Sequence, residues 1–411
     1  MQKFLCLIIL VVLSGEVRAV VIRGMVKDAL TAVAVESVLV EAKGTSTRTY
    51  TDSHGAFVLN LGAASLANPL VDRSASLGKI RVYGVNGSWI STFQPVKSEE
   101  HTTVLPSGAY LFVPDPDSPS RLSHPSGTLG KTGVAITLAC SHSYYTAKEL
   151  SASEGDTGLA ISMSMWFPDA GNTGVPAGTV LKDSGPIRVD KNGTIVENMN
   201  VDGDIDVYAD NVIVRNCKVK VTNGYWGIQT RSTGSTVSNC EINGTAGSGS
   251  GQGVRGLKEV DVSRCNIYGF SDGVMTDVGR IEDNYIHDLK GGPTSHHDGI
   301  QNGGGGPCII RHNTILNPNG ETSAIALFQD FDVPHDVLTE FNLLAGGGYT
   351  VYGGTGDKGA TSNIRFLNNR FSTRYFPKSG FYGPAAYVST TGTGNAWSGN
   401  VWFETGAVLN P

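Results

Sequence analysis

Short apolar segments recur through the C-terminal part of the chain, and each carries the same arrangement of apolar and polar positions. Eight of them align on Met199, Cys217, Cys240, Cys265, Asn284, Asn313, Asn342 and Asn369. The steps between these residues are 18, 23, 25, 19, 29, 29 and 27 residues. Steps of this length are typical of one solenoid turn, which can bury its apolar face only against its neighbours. The pattern predicts a parallel β-helix over 174–411, with the aligned Cys and Asn residues stacked as ladders.

A second strand follows each of the central segments. Side chains alternate along a strand, so one set of apolar residues is predicted to face inward. The inward set is Ile228, Val254, Val274, Ile300, Ile325 and Val351, and the outward set is Gln229, Arg255, Met275, Gln301, Ala326 and Tyr352. The outward column is the candidate binding face.

The first part of the chain reads as short strands separated by Gly- and Asp-rich turns, which predicts a small β-sandwich over 20–113. The expected strands are Val21–Val26, Ser37–Glu41, Ala56–Leu59, Ile80–Tyr83 and Tyr110–Val113. The stretch Thr51–Phe57 resembles the turn and strand of carboxypeptidase-regulatory-like domains, which also occur at the front of bacteriophage tail-fibre proteins.

A connector is expected over 114–173. The Pro-spaced stretch Pro114–Ser120 cannot pair as a central strand, which predicts a stiff linker. The remainder is mixed in pattern, with a short helix expected at Thr146–Ala152.

Residues 1–19 resemble a secretory signal. Lys3 is followed by the apolar run Phe4–Leu13 and by the Val17-Arg18-Ala19 cleavage-like end. The run is shorter than the roughly 20 residues that span a bilayer, so no membrane span is predicted. Alternatively, translation begins at Val20 or Val21, if Gly15–Arg18 is encoded by a ribosome-binding-like stretch. Both alternatives lead to an extracellular protein, either secreted or exposed on a virion tail.

Composition and charge narrow the fold class of the protein and the kinds of partner it can bind. The chain has 53 Gly, 17% charged residues and a net charge of −6, which together fit a turn-rich all-β protein and give no basic field for nucleic acid. Nucleic acid is therefore not an expected partner. Five cysteines follow Ala19, an odd number without CxxC spacing, and we expect them to be small core residues.

From Asn172–Thr179 to Trp397–Trp402 the chain resembles a family of right-handed parallel β-helix proteins. The segments that carry the resemblance are the Gly174–Thr179 opening, Tyr285–Leu289, His297–Gln301, Arg311–Ile315 and Ser398–Trp402. The family occurs in secreted bacterial proteins and in minor tail proteins of bacteriophages. The resemblance implies an all-β fold and a solenoid that faces glycans, but it implies no particular reaction. A small β-sandwich before the β-helix is similar to tail proteins whose first domain attaches to the particle.

Asp272 and Asp298 are the candidate catalytic carboxyls. They hold equivalent positions on consecutive turns, and glycoside hydrolysis needs two carboxyls at a defined separation. His297 is a candidate to orient or protonate the substrate. Alternatively, both residues have a structural role, because Asp-Gly is a common turn dipeptide. Each Asp also lies two positions before an inward residue, Val274 or Ile300, so alternation predicts that its side chain faces inward.

A metal site is not predicted. His287, His296, His297 and Asp298 supply suitable ligand types, but adjacent histidines on an extended chain point to opposite faces. Ca²⁺ held by Asp and backbone oxygens stays open as a cofactor. A lyase would need a cation near a uronate and a base for the C5 proton, for which Arg231, Arg255, Lys290, Arg311 and Tyr352 qualify by type alone.

Sugar binding requires aromatic faces and planar hydrogen-bonding groups on a rigid surface. The candidate substrate-binding residues are Trp226, Gln229, Arg231, Arg255, Gln301, Gln329, Asp330, Tyr349 and Tyr352. We therefore expect a tail-spike-like protein that binds a polysaccharide or bacterial cell-surface glycan, with depolymerase activity left open. The alternative is a secreted polysaccharide lyase or glycoside hydrolase. Other virion tail proteins are candidate partners, and a homotrimer is left open because no heptads enforce it.

Overall fold

A computed structural model describes residues 20–61, 80–84, 89–93, 110–114, 135–153, 156–222, 225–247, 251–291 and 295–411. Their regular structure is entirely β-strand, so the described residues include no helix able to cross a membrane. The chain divides into two compact units, Met1–Met165 and Trp166–Pro411. The predicted signal segment and residues 115–120 of the predicted linker lie outside the described residues.

The first unit is a small β domain. Its strands are β1 (Val20–Asp28), β2 (Leu39–Ala42), β3 (Arg48–Tyr50), β4 (Ala56–Leu61), β5 (Ile80–Gly84), β6 (Trp89–Phe93), β7 (Tyr110–Pro114), β8 (Ala135–His142), β9 (Tyr145–Ser153) and β10 (Leu159–Met163). They form sheets in the orders β10-β1-β4, β3-β2-β8-β9 and β6-β5-β7. Ile22 and Leu59 of the first sheet share one core with Val40 and Leu138 of the second.

The segment that the sequence assigned to a connector contributes three strands to this domain. β8 pairs antiparallel with β2, and β10 pairs parallel with β1. The predicted helix at Thr146–Ala152 is wrong, because these residues form β9 and pair with β8. The apolar side of β8, with Ile136 and Leu138 buried, supplies a partner that overrides the local preference of this polar segment.

The second unit consists of three long parallel sheets, to which the chain contributes one strand each in turn. The first parallel sheet contains β11 (Lys182–Ser184), β14 (Met199–Asp202), β17 (Lys218–Lys220), β20 (Glu241–Asn243), β23 (Asn266–Tyr268), β26 (Tyr285–His287), β29 (Thr314–Asn317), β32 (Leu343–Gly346), β35 (Arg370–Phe371) and β38 (Val401–Trp402).

The other two sheets have nine strands each. The second parallel sheet contains β12 (Ile187–Val189), β15 (Ile205–Val207), β18 (Trp226–Thr230), β21 (Gln252–Gly256), β24 (Asp272–Met275), β27 (Asp298–Asn302), β30 (Ser323–Leu327), β33 (Tyr349–Gly353) and β36 (Gly383–Ala386). The third contains β13 (Ile195–Glu197), β16 (Ile213–Arg215), β19 (Ser235–Ser238), β22 (Val260–Ser263), β25 (Gly279–Glu282), β28 (Cys308–Arg311), β31 (His335–Glu340), β34 (Ser362–Leu367) and β37 (Ala396–Ser398). The prediction of a right-handed parallel β-helix after a small β domain is thus confirmed.

The repeated segments turn out to be two strands joined by a sharp corner between the third and first sheets. The residue before each aligned Cys or Asn has a positive φ, as at Asn216 with 54° and His312 with 51°. Asn and His tolerate this left-handed conformation better than most residues. The corner turns the chain and directs the next side chain into the interior.

That next side chain forms the predicted ladder. The Asn284 side-chain amide donates to Asn313 Oδ1 at 2.9 Å and to the Val262 carbonyl at 2.9 Å. The pattern continues through Asn342, Asn369 and Asn400. In earlier turns the thiols of Cys217, Cys240 and Cys265 occupy the same place and donate to the carbonyls of Val196, Val214 and Val237.

Candidate functional site

The outer face of the second parallel sheet carries the predicted outward column in register. Gln229 pairs with Arg255, Arg255 with Met275, Met275 with Gln301, Gln301 with Ala326 and Ala326 with Tyr352. All six predicted inward residues are fully buried. The column is not uniformly exposed, because Gln229 is only 1% exposed and Ala326 is fully covered.

Arginine and aromatic side chains interleave at the N-terminal end of this face. The Arg188 guanidinium, one turn before Tyr208, lies 3.7 Å from the Tyr208 ring centre. The Arg231 guanidinium, one turn after Tyr208, lies 4.7 Å from the same ring centre. Arg231 and Arg255 lie 5.7 and 5.9 Å from the Trp226 ring centre. These distances are within the range of cation–π attraction, which holds the planar groups in a rigid row.

Arg231 is neutralised by Asp206, to which its Nε and Nη2 donate at 2.8 and 3.0 Å. Arg255 differs from Arg231, since it has neither an ion pair nor a hydrogen bond with any residue that the structure describes. The face therefore presents one half-buried positive charge without a counter-charge.

Besides Thr230 Oγ1, whose residue shares the inward alternation of Ile228, four buried polar atoms on β18 and β21 lack a hydrogen-bond partner among the described residues. They are Trp226 Nε1, Gln229 Oε1, Gln252 Oε1 and Arg255 Nε. Trp226 is in register with Gln252, and Gln229 with Arg255, so the four atoms belong to one patch. Buried polar groups in folded proteins are almost always paired, and each one left unpaired costs about 1–3 kcal/mol. Unpaired buried groups of this kind occur at functional sites or where an ordered water completes the pairing.

Asp272 and Asp298 lie at the start of consecutive strands in the middle of the same sheet. Asp272 Oδ1 accepts the Asp298 backbone N–H at 3.2 Å, and Asp272 Oδ2 accepts the Gln252 amide at 2.9 Å. The Ser323 hydroxyl donates to Asp298 Oδ1 at 2.6 Å. Gln252, Asp272, Asp298 and Ser323 therefore form a continuous polar column.

Burial shifts both carboxyls toward the protonated form. It raises the pKa of Asp272, against the hydrogen bond from Gln252. It raises the pKa of Asp298 to about 8, against the hydrogen bond from Ser323, while the nearby charge of Asp272 adds to the increase. Asp298 is thus a neutral acid at pH 7 beside a second carboxyl, an arrangement used in acid–base chemistry.

The alternation of inward and outward side chains is interrupted at Gly273 and Gly299, which follow Asp272 and Asp298. A Cβ added to Gly273 would lie 2.4 Å from Ile286 Cγ2, and one added to Gly299 would lie 2.1 Å from Ile315 Cγ2. Both isoleucines belong to the core, so the glycines and the following Val274 and Ile300 all face inward. The prediction that Asp272 and Asp298 face inward assumed strict alternation, and this assumption does not hold at this corner.

Tyrosines cover the C-terminal end of the face. The Tyr349 and Tyr352 rings are 5.7 Å apart, Tyr382 lies 5.7 Å from Tyr349, and Tyr387 stacks on Tyr352 at 5.9 Å. Burial raises the pKa of Tyr352, and the charge of Asp298 raises it further, which places Asp298 near this ring.

The remaining predicted binding residues have different environments. Gln301 donates to Asp330 Oδ2 at 3.3 Å at the outer edge of the face. The Gln329 amide is fully engaged in a loop, donating to the carbonyls of Gly354 and Gly359 and accepting the Lys358 N–H. Gln329 holds this loop in place.

The predicted histidine cluster is divided between two locations. His287 lies on β26 of the first sheet, hydrogen-bonded to Asp288 and Asn266 and stacked 4.0 Å from Tyr285. His297 precedes Asp298 and lines a cavity of about 410 Å³ with Lys290, Asn319 and Glu321. The described residues contain no group of three or more His, Cys, Asp or Glu side chains arranged to hold a metal ion.

Sequence reasoning missed three residues at the N-terminal end and two at the C-terminal end of the face. The three at the N-terminal end lie on or just after β12 and β15 and are Arg188, Asp206 and Tyr208. The alternation of apolar and polar residues in these two strands could have identified them as outward-facing. Tyr382 and Tyr387 lie outside the strands, so no periodic pattern marks them.

No family model matches the chain, and no match was found among the curated proteins or the solved structures.

Proposed function

We propose that the protein binds a polysaccharide along the outer face of the second parallel sheet, as an extracellular, tail-spike-like glycan-binding β-helix protein. The observation that carries the proposal is the patch of four unpaired buried polar atoms beside the Trp226 ring. Two of these atoms are donors, Trp226 Nε1 and Arg255 Nε, and two are acceptors, Gln229 Oε1 and Gln252 Oε1. A sugar satisfies both kinds, because each hydroxyl donates and accepts.

The shape of the face supports a polymer. The parallel register repeats each position at the strand spacing of about 4.8 Å, so polar and aromatic groups follow one another in a straight row. Aromatic rings offer apolar faces to the C–H surfaces of a sugar, while the amides and guanidinium groups pair with its hydroxyls. A rigid row of this kind suits an extended chain.

The order of the domains supports the tail-spike interpretation. A small β domain precedes a glycan-facing solenoid, as in the tail proteins that the sequence resembles. Such a protein works outside the cell, on a virion tail or in the medium, and its target would be a bacterial cell-surface glycan.

Binding to immobilised bacterial capsules and uronate polymers tests the proposal, with Gln229→Met as the deciding variant. Replacing an unpaired buried amide by an apolar side chain of similar shape should stabilise the free protein and weaken glycan binding. Gln329→Met is the matched control, since its amide is fully paired and its loss should destabilise the protein. Absence of binding to every glycan of the panel would overturn the proposal, as would unchanged binding by Gln229→Met.

Cleavage of the glycan is a second candidate, favoured by the neighbouring carboxyls Asp272 and Asp298. Asp298 is almost completely buried, so this function requires the residues over it to move. A protonated Asp298 would then donate to the glycosidic oxygen, and Asp272 would act as base or nucleophile. Reducing ends without ultraviolet absorbance from unsaturated uronates would identify a hydrolase. Asp298→Asn should abolish their release and retain binding.

A secreted lyase is the remaining alternative. Among the residues near this face, Arg255 could neutralise a uronate, but Tyr352 is poorly suited as a base because burial raises its pKa. Products with the ultraviolet absorbance of unsaturated uronates would favour the lyase over both other functions.

A further inference from the structure

The face of the second parallel sheet is chemically different at its two ends. At the N-terminal end, Arg255 is half-buried and lacks a counter-charge among the described residues, whereas neighbouring Arg231 is paired with Asp206. A partly buried cation without a partner is costly, and an anionic ligand group removes that cost. Trp226 Nε1 lies beside it as a second unpaired donor.

The C-terminal end carries tyrosine rings. Tyr382 and Tyr387 are 60% and 65% exposed, and they continue the rings of Tyr349 and Tyr352 outward from the sheet. No arginine or lysine lies over these four rings in the part of the chain that the structure describes. Exposed phenol rings with their hydroxyls suit the apolar face and hydroxyl edge of a neutral sugar.

One sugar cannot contact both ends. Arg255 and Tyr352 occupy the same column, and the register between them passes through Met275, Gln301 and Ala326. Four strand steps of about 4.8 Å separate them by roughly 19 Å. A ligand that uses both ends is therefore an oligosaccharide or a polymer.

We propose that this face has two subsites, an anionic-sugar subsite at Arg255 and Trp226 and a neutral-sugar subsite at Tyr352, Tyr382 and Tyr387. The ligand is accordingly a heteropolysaccharide whose repeat contains both an acidic and a neutral sugar. This inference rests on the proposed glycan binding and names its substrate class.

The test compares affinities of the full chain for three kinds of probe. These are bacterial capsular polysaccharides with mixed acidic and neutral repeats, the acidic homopolymers alginate and polygalacturonate, and the neutral homopolymer dextran. We expect at least one mixed polymer to bind at least about tenfold more tightly than any homopolymer, since only it fills both subsites.

Two variants assign the subsites. Arg255→Met should weaken binding of the mixed polymer at least about tenfold and remove most of its salt dependence, because the charge is lost. Tyr387→Ala should also weaken binding and leave the salt dependence unchanged. The controls are Arg365→Met, an exposed arginine of the third sheet, and Tyr50→Ala in the first domain, and both should bind like the unchanged protein.

The outcomes separate the two proposals. If no polysaccharide binds, the proposed glycan binding fails and this inference fails with it. If glycans bind but a homopolymer binds as tightly as the mixed polymers, glycan binding stands and the two-subsite inference is overturned. An unchanged affinity in either Arg255→Met or Tyr387→Ala would also overturn it.

Discussion

Asp272 Oδ1 accepts the backbone N–H of Asp298 at 3.2 Å, one turn along the solenoid. This contact links a carboxyl to the residue whose own carboxyl is almost completely buried. The pair is therefore held in place by the register of the strands, whether or not a substrate is present. Its protonation also bears on the stability of the fold.

The stability of the protein should fall with rising pH through Asp298. Its pKa is about 8 in the folded protein against 3.8 for an ordinary carboxyl, so the native state binds the extra proton between about pH 4 and pH 8. The contribution is present below pH 4, is lost across this window and levels off above it. At about 1.4 kcal/mol per pKa unit, the loss is on the order of 6 kcal/mol.

Urea denaturation from pH 4 to pH 8 measures this effect. The free energy of unfolding of Asp298→Asn should exceed that of the unchanged protein by an amount that grows with pH. A pH-independent difference for Asp298→Asn would contradict the prediction.

The asparagine ladder should contribute strongly to stability. Asn313 is fully buried, donates to the Ile281 carbonyl and Asn342 Oδ1, and accepts from the N–H and amide of Asn284. Asn313→Ala leaves several buried groups unpaired, each costing about 1–3 kcal/mol, so we expect a loss of at least about 3 kcal/mol. Chemical denaturation gives the value, and a loss below about 1 kcal/mol would mean that water replaces the amide.

The ladder and the inward columns were predictable because both follow from a repeat that the sequence shows directly. Stacked turns bring Asn284 and Asn313 together wherever one residue per turn occupies the same corner. The strand that replaces the expected helix at Thr146–Ala152 was not predictable, because its partner β8 lies in a segment without a repeat. The tyrosines Tyr382 and Tyr387 were missed because they lie outside the strands, where ring contacts to strand β33 leave no periodic pattern in the sequence.

The described cysteines should be unreactive in the folded protein. Cys140, Cys217, Cys240, Cys265 and Cys308 are all buried. Burial raises the pKa of Cys140 to about 11 and that of Cys308 to about 12, and it raises the pKa of Cys240 as well. A hydrogen bond with Cys240 lowers the pKa of Cys217, but this thiol is fully buried, so the reagent cannot reach it. Since the thiolate is the reactive form, a Cys6→Ser chain should release no thionitrobenzoate from Ellman's reagent until it is unfolded. Five equivalents should then appear, and rapid release from the native protein would show that a thiol is accessible.

The corner residue Arg264 should be a site where a single substitution stabilises the protein. Its φ of 52° is left-handed, which costs a non-glycine residue about 1–2 kcal/mol, whereas Asn occupies the equivalent corners at Asn216 and Asn239. Among the described residues, the Arg264 side chain makes a hydrogen bond from Nε to Asn239 Oδ1 at 3.3 Å on the protein surface, which the substitution would remove. Arg264→Asn should therefore raise the free energy of unfolding by about 0.5–1 kcal/mol in denaturant titrations. The control is Arg280→Asn, which replaces an exposed arginine in strand β25 and should not raise the free energy of unfolding. An equal increase there would show that the effect comes from charge and not from backbone conformation.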